Sequence, residues 1–359
     1  MASVKILHAR LLNQQIAAHK FESPGELVKW LGAVQAQDYL GALWAVGLRL
    51  TNATESEIEK AIANKTILRT WPMRGTLHFI APEDARWMLQ LLTPRIISRA
   101  AAIYRNSGLD KKVFAKSSRV VVKALQGGQQ LERQEIYRIL EEAKISTSGN
   151  RGLHILGMLA QQGLICFGPR KNKQQSFVLL DEWVPETKSL KGDEATATLA
   201  QTYFTSHGPA TVQDFVWWSG LTVADAKRGL DIIKKNFTEI RLNDNSYWMR
   251  DNALLSVEKL KGIFLLPCFD EYLVGYKDRS AAVTAKFTQQ IFGASNGIFA
   301  SVLLINGKVE GTWKRSFYKN EVIIEIKPFK KLMQTEKAGI LKVAKQYSNF
   351  TAMNLKLHY

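Results

Sequence analysis

One pattern recurs three times along this chain: stretches of helical periodicity, then two short β-prone runs around a turn. A lone hairpin is marginal in water and needs helices to cover its apolar side. Helix, helix, helix, hairpin is the order of a winged helix. The first occurrence begins at Ser23-Pro24-Gly25-Glu26. There a serine N-cap, a proline at the first helical position and a glutamate three residues after the cap mark a helix start. Leu27, Trp30, Leu31 and Val34 follow on one helical face. Gln35-Ala36-Gln37-Asp38 separates this helix from an apolar one, Tyr39 to Leu50, and a polar helix follows, Ser56 to Asn64. The run Ile67 to Ile80, rich in strand formers and broken by Pro72 and Gly75, reads as a hairpin.

The second occurrence has helices at Arg119 to Leu125, Arg133 to Ala143 and Arg151 to Gln162. Its wing is Leu164 to Phe167 and Ser176 to Leu180, around the basic turn Gly168 to Lys173. The third has helices at Ala195 to Ser206, from Thr211 with Phe215, Trp217 and Trp218, and at Val223 to Lys235. Its wing is Phe237 to Leu242 and Tyr247 to Arg250, around Asn243-Asp244-Asn245. Beyond residue 251 the texture changes. Gly262 to Leu266, Ser301 to Ile305, Lys308 to Trp313 and Glu321 to Ile326 read as strands, and Ala338 to Tyr347 as a helix. Asn306-Gly307 signals a type I′ hairpin turn. The expected fold is α+β: tandem winged-helix units followed by a C-terminal β-barrel or sandwich-like domain. The expected boundaries are 1–118 for a first winged helix with a helical extension, 119–190 for a second with a basic wing, 191–250 for a third, and 251–359 for the β domain.

Charge narrows the partners. Lys and Arg number 49 against 32 Asp and Glu, a net +17, which suits nucleic acid or an anionic membrane. No apolar run approaches the roughly 18 residues of a membrane span, and the N-terminal MASVKILHARLLNQQ lacks the order of a secretion signal. Cys166 and Cys268, each inside an apolar run, read as buried inert thiols. A cytoplasmic monomer that binds duplex DNA and no membrane is the expectation. P-loop, dinucleotide, H-E-x-x-H and C-x-x-C signatures are absent, and the six histidines (8, 19, 78, 154, 207, 358) never stand at ligand spacing. Neither a metal nor a cofactor is expected.

Three segments invite a chemical reading. Arg170, Lys171, Asn172, Lys173 and Gln174 put cations and amides on a slim hairpin tip, suited to phosphates and groove acceptors; a solvated turn is the plain alternative. Arg69, Trp71, Arg74 and His78 could line a phosphate or base site, or be core and surface residues of a hairpin. Asp270, Tyr272, Tyr276 and Arg279, with Asp38, are candidates for active-site support, although such acids equally cap turns and pair with arginine.

Taken in order, six segments resemble the AlkZ-like winged-helix DNA glycosylases and the related YcaQ branch. They are Leu11-Leu12-Asn13-Gln14, Val34-Gln35-Ala36-Gln37-Asp38, Arg69 to His78, His207-Gly208-Pro209-Ala210, Asp214 to Gly220 and Phe269 to Arg279. The resemblance implies tandem winged helices with a β domain. It also implies a catalytic signature of glutamine, an aliphatic residue and glutamine, falling here on Gln35, Ala36 and Gln37; the second glutamine matches the AlkZ branch, and Ala36 is small for its position. The implied activity is hydrolysis of the N-glycosidic bond of cationic alkylated purines. Such a base is already an activated leaving group. An amide carbonyl can accept a hydrogen bond from water and aim it at C1′, and its dipole favours an oxocarbenium-like transition state. On this view Gln37 serves the water and Gln35 the sugar. The competing class is a non-catalytic winged-helix regulator, which would leave no abasic sites in N7-methylated DNA. RNA binding through the β domain is a third reading.

Overall fold

The structure, a computed structural model, describes residues 2–171, 173–242, 244–250, 260–293 and 299–359. Contacts gather the chain into two compact units where the sequence suggests four consecutive stretches. One unit is Glu59–Thr196; the other is discontinuous, Met1–Ile58 with Ala197–Tyr359.

In the unit Glu59–Thr196, the hairpins expected in two separate winged helices share one sheet. Its strands run in the order Thr76–Ile80, Leu68–Met73, Ile165–Phe167, Ser176–Leu179, Leu131–Glu132. Arg69 pairs with Phe167 at the join. The burial of Leu68–Met73 explains the fusion. Every one of its residues is buried, whereas an exposed wing would bury alternate positions only. Helices Ala85–Asn106, Lys111–Leu125, Arg133–Glu142 and Arg151–Gln161 accompany this sheet. Val121, Leu125, Ile136, Leu140, Ile155 and Leu159 join Trp71, Leu77, Phe167 and Phe177 in one core. Ala85–Asn106 was not read from the sequence, and Pro94 sits inside it, a residue that ordinarily ends a helix. The next helix starts well before the expected Arg119, because the Asp110 carboxylate accepts the Val113 amide at 2.8 Å and caps it.

The discontinuous unit holds helices Ala2–Asn13, Pro24–Leu31 and Tyr39–Gly47. Helices Val212–Ser219 and Val223–Ile233 precede the hairpin Thr238–Leu242 and Asn245–Met249; Asn243, at its turn, lies outside the described residues. A sheet follows in the order Asn354–His358, Glu321–Pro328, Lys308–Tyr318, Val302–Ile305, Ile263–Leu266. Asn306 and Gly307 both have positive φ, 54° and 82°, the backbone that a type I′ turn requires. Among the described residues this sheet is linear in its pairing, not a closed barrel or a second packed sheet. Helix Gln334–Thr351 supplies the cover instead, burying Ile340, Ala344, Tyr347 and Phe350, with Tyr347 edge-on to Trp313 of the sheet at 5.4 Å. The strand Asn354–His358, unread in the sequence, pairs parallel to Glu321–Pro328.

Candidate active site

Ser23 caps helix Pro24–Leu31 as its sequence suggests, accepting the Glu26 amide at 3.3 Å. The helix stops before Val34. Gly32 takes φ of 76°, and a side chain there would run into Thr202. The chain then enters the short strand Val34–Gln35. Gln35 and Ala36 are buried, Ala36 completely, whereas Gln37 is exposed. Asp38 opens helix Tyr39–Gly47. Its carboxylate accepts from Arg315 Nη2 at 2.7 Å and from the Cys268 thiol at 3.2 Å. Gly41 leaves room for it, since a Cβ there would sit 2.4 Å from Asp38 Oδ2. Cys268 is thus half-buried and hydrogen-bonded, and not a fully buried packing thiol, but it stays unreactive. Burial, then the Asp38 charge, pushes its thiol up to about 12. Cys166 is buried, as expected, and burial raises its thiol too.

A buried polar frame backs this segment. Glu271 Oε1 accepts the backbone N–H of Gln35 at 2.9 Å, and Glu271 Oε2 accepts the Trp218 indole N–H at 3.0 Å. His207 Nε2 stands 3.5 Å from Glu271 Oε2, and burial holds that imidazole below its usual range. Gln14 Nε2 donates to the Glu271 carbonyl and to Tyr276 Oη, which donates to the His207 carbonyl at 2.7 Å. Arg49 grips both carboxylate oxygens of Asp270 at 2.8 Å and also donates to the Gln14 carbonyl and side-chain oxygens. Arg10 lies over the Tyr276 ring at 3.6 Å, and Asn13 donates to the carbonyl of Gly208, which is joined by a cis peptide to Pro209. Asp214 accepts the amides of Lys277 and Asp278. Five of the six segments that carry the resemblance thus interlock in one unit. Asp270, Tyr272 and Tyr276 are buried members of this frame, Tyr272 donating to the Gly307 carbonyl. Arg279 sits among Trp217, Phe292 and Phe299, each about 5 Å away by its ring centroid, and donates to the Leu273 carbonyl. Gln14, Arg10 and Arg49 are not singled out by the sequence, and Glu271 appears there only as the neighbour of Asp270. Glu271 and Gln14 lie within quoted segments, but burial of a charge is invisible in one sequence, and Arg49 lies outside every segment.

The second unit places its candidates differently. Trp71 is core, packed on Phe167 at 5.0 Å. Arg69 is buried over the same ring at 4.6 Å and donates to Gln175. Arg74, at the hairpin turn, approaches His78 Nε2 at 3.2 Å, while His78 Nδ1 faces the Thr76 carbonyl at 3.0 Å. A carbonyl only accepts, so Nδ1 carries the proton and Nε2 accepts from Arg74. Burial first, then the Arg74 charge, holds His78 well below the usual histidine range. His78 is thus a neutral member of the hairpin. On the other hairpin Arg170 donates to Glu59 at 3.0 Å and Lys171 to the Gln130 carbonyl at 2.6 Å. Lys171, Lys173 and Gln174 are exposed, so the tip presents lysines more than its arginine; Asn172 lies outside the described residues.

The depressed His78 gives a signed expectation. Above the unfolded pKa of about 6.5 both folded and unfolded states keep the ring neutral; as pH falls below it the unfolded chain takes the proton first and gains stability. The melting temperature should therefore fall between pH 7.5 and 5.5. The fall should be smaller in His78→Asn, compared with that variant's own value at pH 7.5. Parallel pH dependence of the two proteins would show that His78 titrates normally.

Comparison with known proteins agrees with this geometry. The family model described as DNA glycosylase AlkZ-like matches residues 28–350. The chain belongs to the AlkZ-like DNA glycosylase family. The glycosylase is 26% identical over 321 residues to the "Interstrand DNA cross-link repair glycosylase" of Streptomyces sahachiroi, covering 85% of each chain. Its fold is that of the Streptomyces sahachiroi DNA glycosylase AlkZ, with a TM-score of 0.82 at 21% identity, covering 99% of this chain and 98% of that one. A purely regulatory DNA-binding role is set aside by this membership, and DNA is the glycosylase's substrate. Among the described residues no helix is long and apolar enough to cross a membrane.

Proposed function

We propose that this glycosylase hydrolyses the N-glycosidic bond of cationic alkylated purines in duplex DNA, N7-alkylguanines first, using Gln35 and Gln37. In the reaction water attacks C1′ while the C1′–N9 bond breaks. The bonding pair neutralises the cationic base, and the water's proton goes to solvent. The observation that carries the reading is the chemistry of the Gln35–Asp38 segment. An exposed amide, Gln37, follows a backbone-anchored one, Gln35, and the neighbouring carboxylate of Asp38 is engaged by Arg315 and Cys268. Such a segment orients water and tolerates positive charge, but it protonates nothing. Its substrate must arrive activated. Gln37 is assigned to the water and Gln35 to the sugar.

The name of the Streptomyces relative supports extending the range to interstrand cross-links. The helix–hairpin repeats are read as winged-helix units, and the exposed Lys171, Lys173 and Gln174 as contacts to the DNA backbone and groove. A cytoplasmic monomer remains the expected form. The test is single-turnover base release from two duplexes, one with a single 7-methylguanine and one with a single uracil. Release of 7-methylguanine with uracil retained is expected. Efficient uracil excision would require an acid that this mechanism lacks, and would overturn it.

A further inference from the structure

The geometry points to Glu271 as a positioning residue that sets the register of Gln35 through its backbone, while its other carboxylate oxygen holds the Trp218 indole. This rests on the catalytic reading of Gln35 proposed above. Glu271 is 1% exposed, and a carboxylate so deep needs a reason, because an amide or an apolar residue is ordinarily cheaper there. The reason lies in a count of donors. The Gln35 N–H arrives at Oε1 at 2.9 Å and the Trp218 Nε1–H at Oε2 at 3.0 Å, from two different elements. Two donors converging on one side-chain head require an acceptor at both ends, and among uncharged side chains of that length none offers two. The helix Glu271–Val274 that presents this head is itself fixed. Asp270 caps it by accepting the Tyr272 amide at 2.9 Å and is clamped by Arg49, and Gln14 holds the Glu271 carbonyl. The carboxylate is therefore a rigid two-pronged acceptor, and one prong ends on the residue whose side chain the reaction uses. A shift of the Gln35 backbone would move its amide head away from the sugar without removing any group that touches DNA.

Glu271→Gln keeps the shape and loses one acceptor. Its carbonyl oxygen satisfies one donor, and its NH2 meets the other donor head-on. Trp218→Phe removes that second donor. In the double variant the glutamine carbonyl can accept the Gln35 N–H, and its NH2 can face His207 Nε2, which stands 3.5 Å from the Glu271 head. Four proteins are compared with wild type: Glu271→Gln, Trp218→Phe, the double variant and Gln35→Ala. The readouts are single-turnover release of 7-methylguanine, affinity for a duplex carrying an abasic-site analogue, thermal melting, and the amide resonance of Gln35 in protein labelled with ¹⁵N-glutamine. Misplacement by less than an ångström is enough to slow release by Glu271→Gln on the order of tenfold or more. Affinity should be retained and the Gln35 amide resonance shifted. Trp218→Phe alone should release base at close to the wild-type rate despite a lower melting temperature. The double variant should be faster than Glu271→Gln, with the Gln35 amide resonance returned toward its wild-type position. A structural role alone predicts that the second substitution slows release further and leaves the resonance displaced, and that outcome overturns the proposal. So does a wild-type rate in Glu271→Gln beside a slow Gln35→Ala, which leaves the catalytic reading standing. A wild-type rate in Gln35→Ala removes both.

Discussion

Gln37→Ala should slow release of 7-methylguanine on the order of 10²-fold while leaving affinity for the same duplex within experimental error. The side chain is exposed, two residues beyond the short strand, and contributes nothing to a core, so its loss should also leave the melting temperature nearly unchanged. An orienting amide acts in the transition state, where water must lie in line with C1′ as the sugar becomes cationic. In the ground state it is one more exposed polar group. Gln35→Ala should slow release similarly, but at some cost in stability, because Gln35 is buried beside Ala36. Single-turnover kinetics with a parallel binding titration separates these effects. If both variants release base as fast as wild type, the two glutamines are not catalytic.

The largest effect on stability is expected at Asp270. Its ion pair with Arg49 has both side chains 1% exposed. Removing one partner leaves a charge stranded away from water, which costs about 3–5 kcal/mol. Asp270→Ala also strips the cap from helix Glu271–Val274. For a unit of this size the melting temperature should drop by roughly 10 °C, at about 2–4 °C per kcal/mol. Removing both charges with Arg49→Met and Asp270→Leu should cost less than Asp270→Ala alone, since no orphan charge remains. Equal melting temperatures for Asp270→Ala and wild type would show that the pair contributes nothing net.

Local chemistry was legible where it is decided by neighbours in the chain. Ser23 caps its helix, Asn306-Gly307 turns its hairpin, and Thr211 opens a helix by accepting the Asp214 amide. Each rests on backbone geometry that a few residues dictate. What distant residues decide was not legible. The fusion of two wings into one sheet depends on Phe167 meeting Arg69 across almost a hundred positions, and nothing in either hairpin specifies its neighbour. Arg170 looked like a tip cation until Glu59 was placed beside it. The acids after Leu266 illustrate both cases. The two stand side by side as a possible carboxylate pair, and only Asp270 is kept as a candidate, although it is Glu271 that touches the Gln35 backbone. Adjacent carboxylates are indistinguishable in a sequence and differ only by which partners the fold sends to each.

The discontinuity of one unit has a consequence for synthesis. Gln14, Gln35 and Arg49 emerge early from the ribosome, but their partners lie at positions 270 to 276, beyond the inserted unit Glu59–Thr196. At about 5–20 residues per second, the nascent N-terminal segment waits roughly 10–40 s for Asp270 and Glu271 to be made. During that wait Arg49 has no carboxylate to bind, and the apolar faces around it have no cover. The contiguous unit Glu59–Thr196 can fold in the interval. The two segments of the discontinuous unit pair only after Glu59–Thr196 has been made, which leaves residues 1–58 without their partners for the whole of that interval.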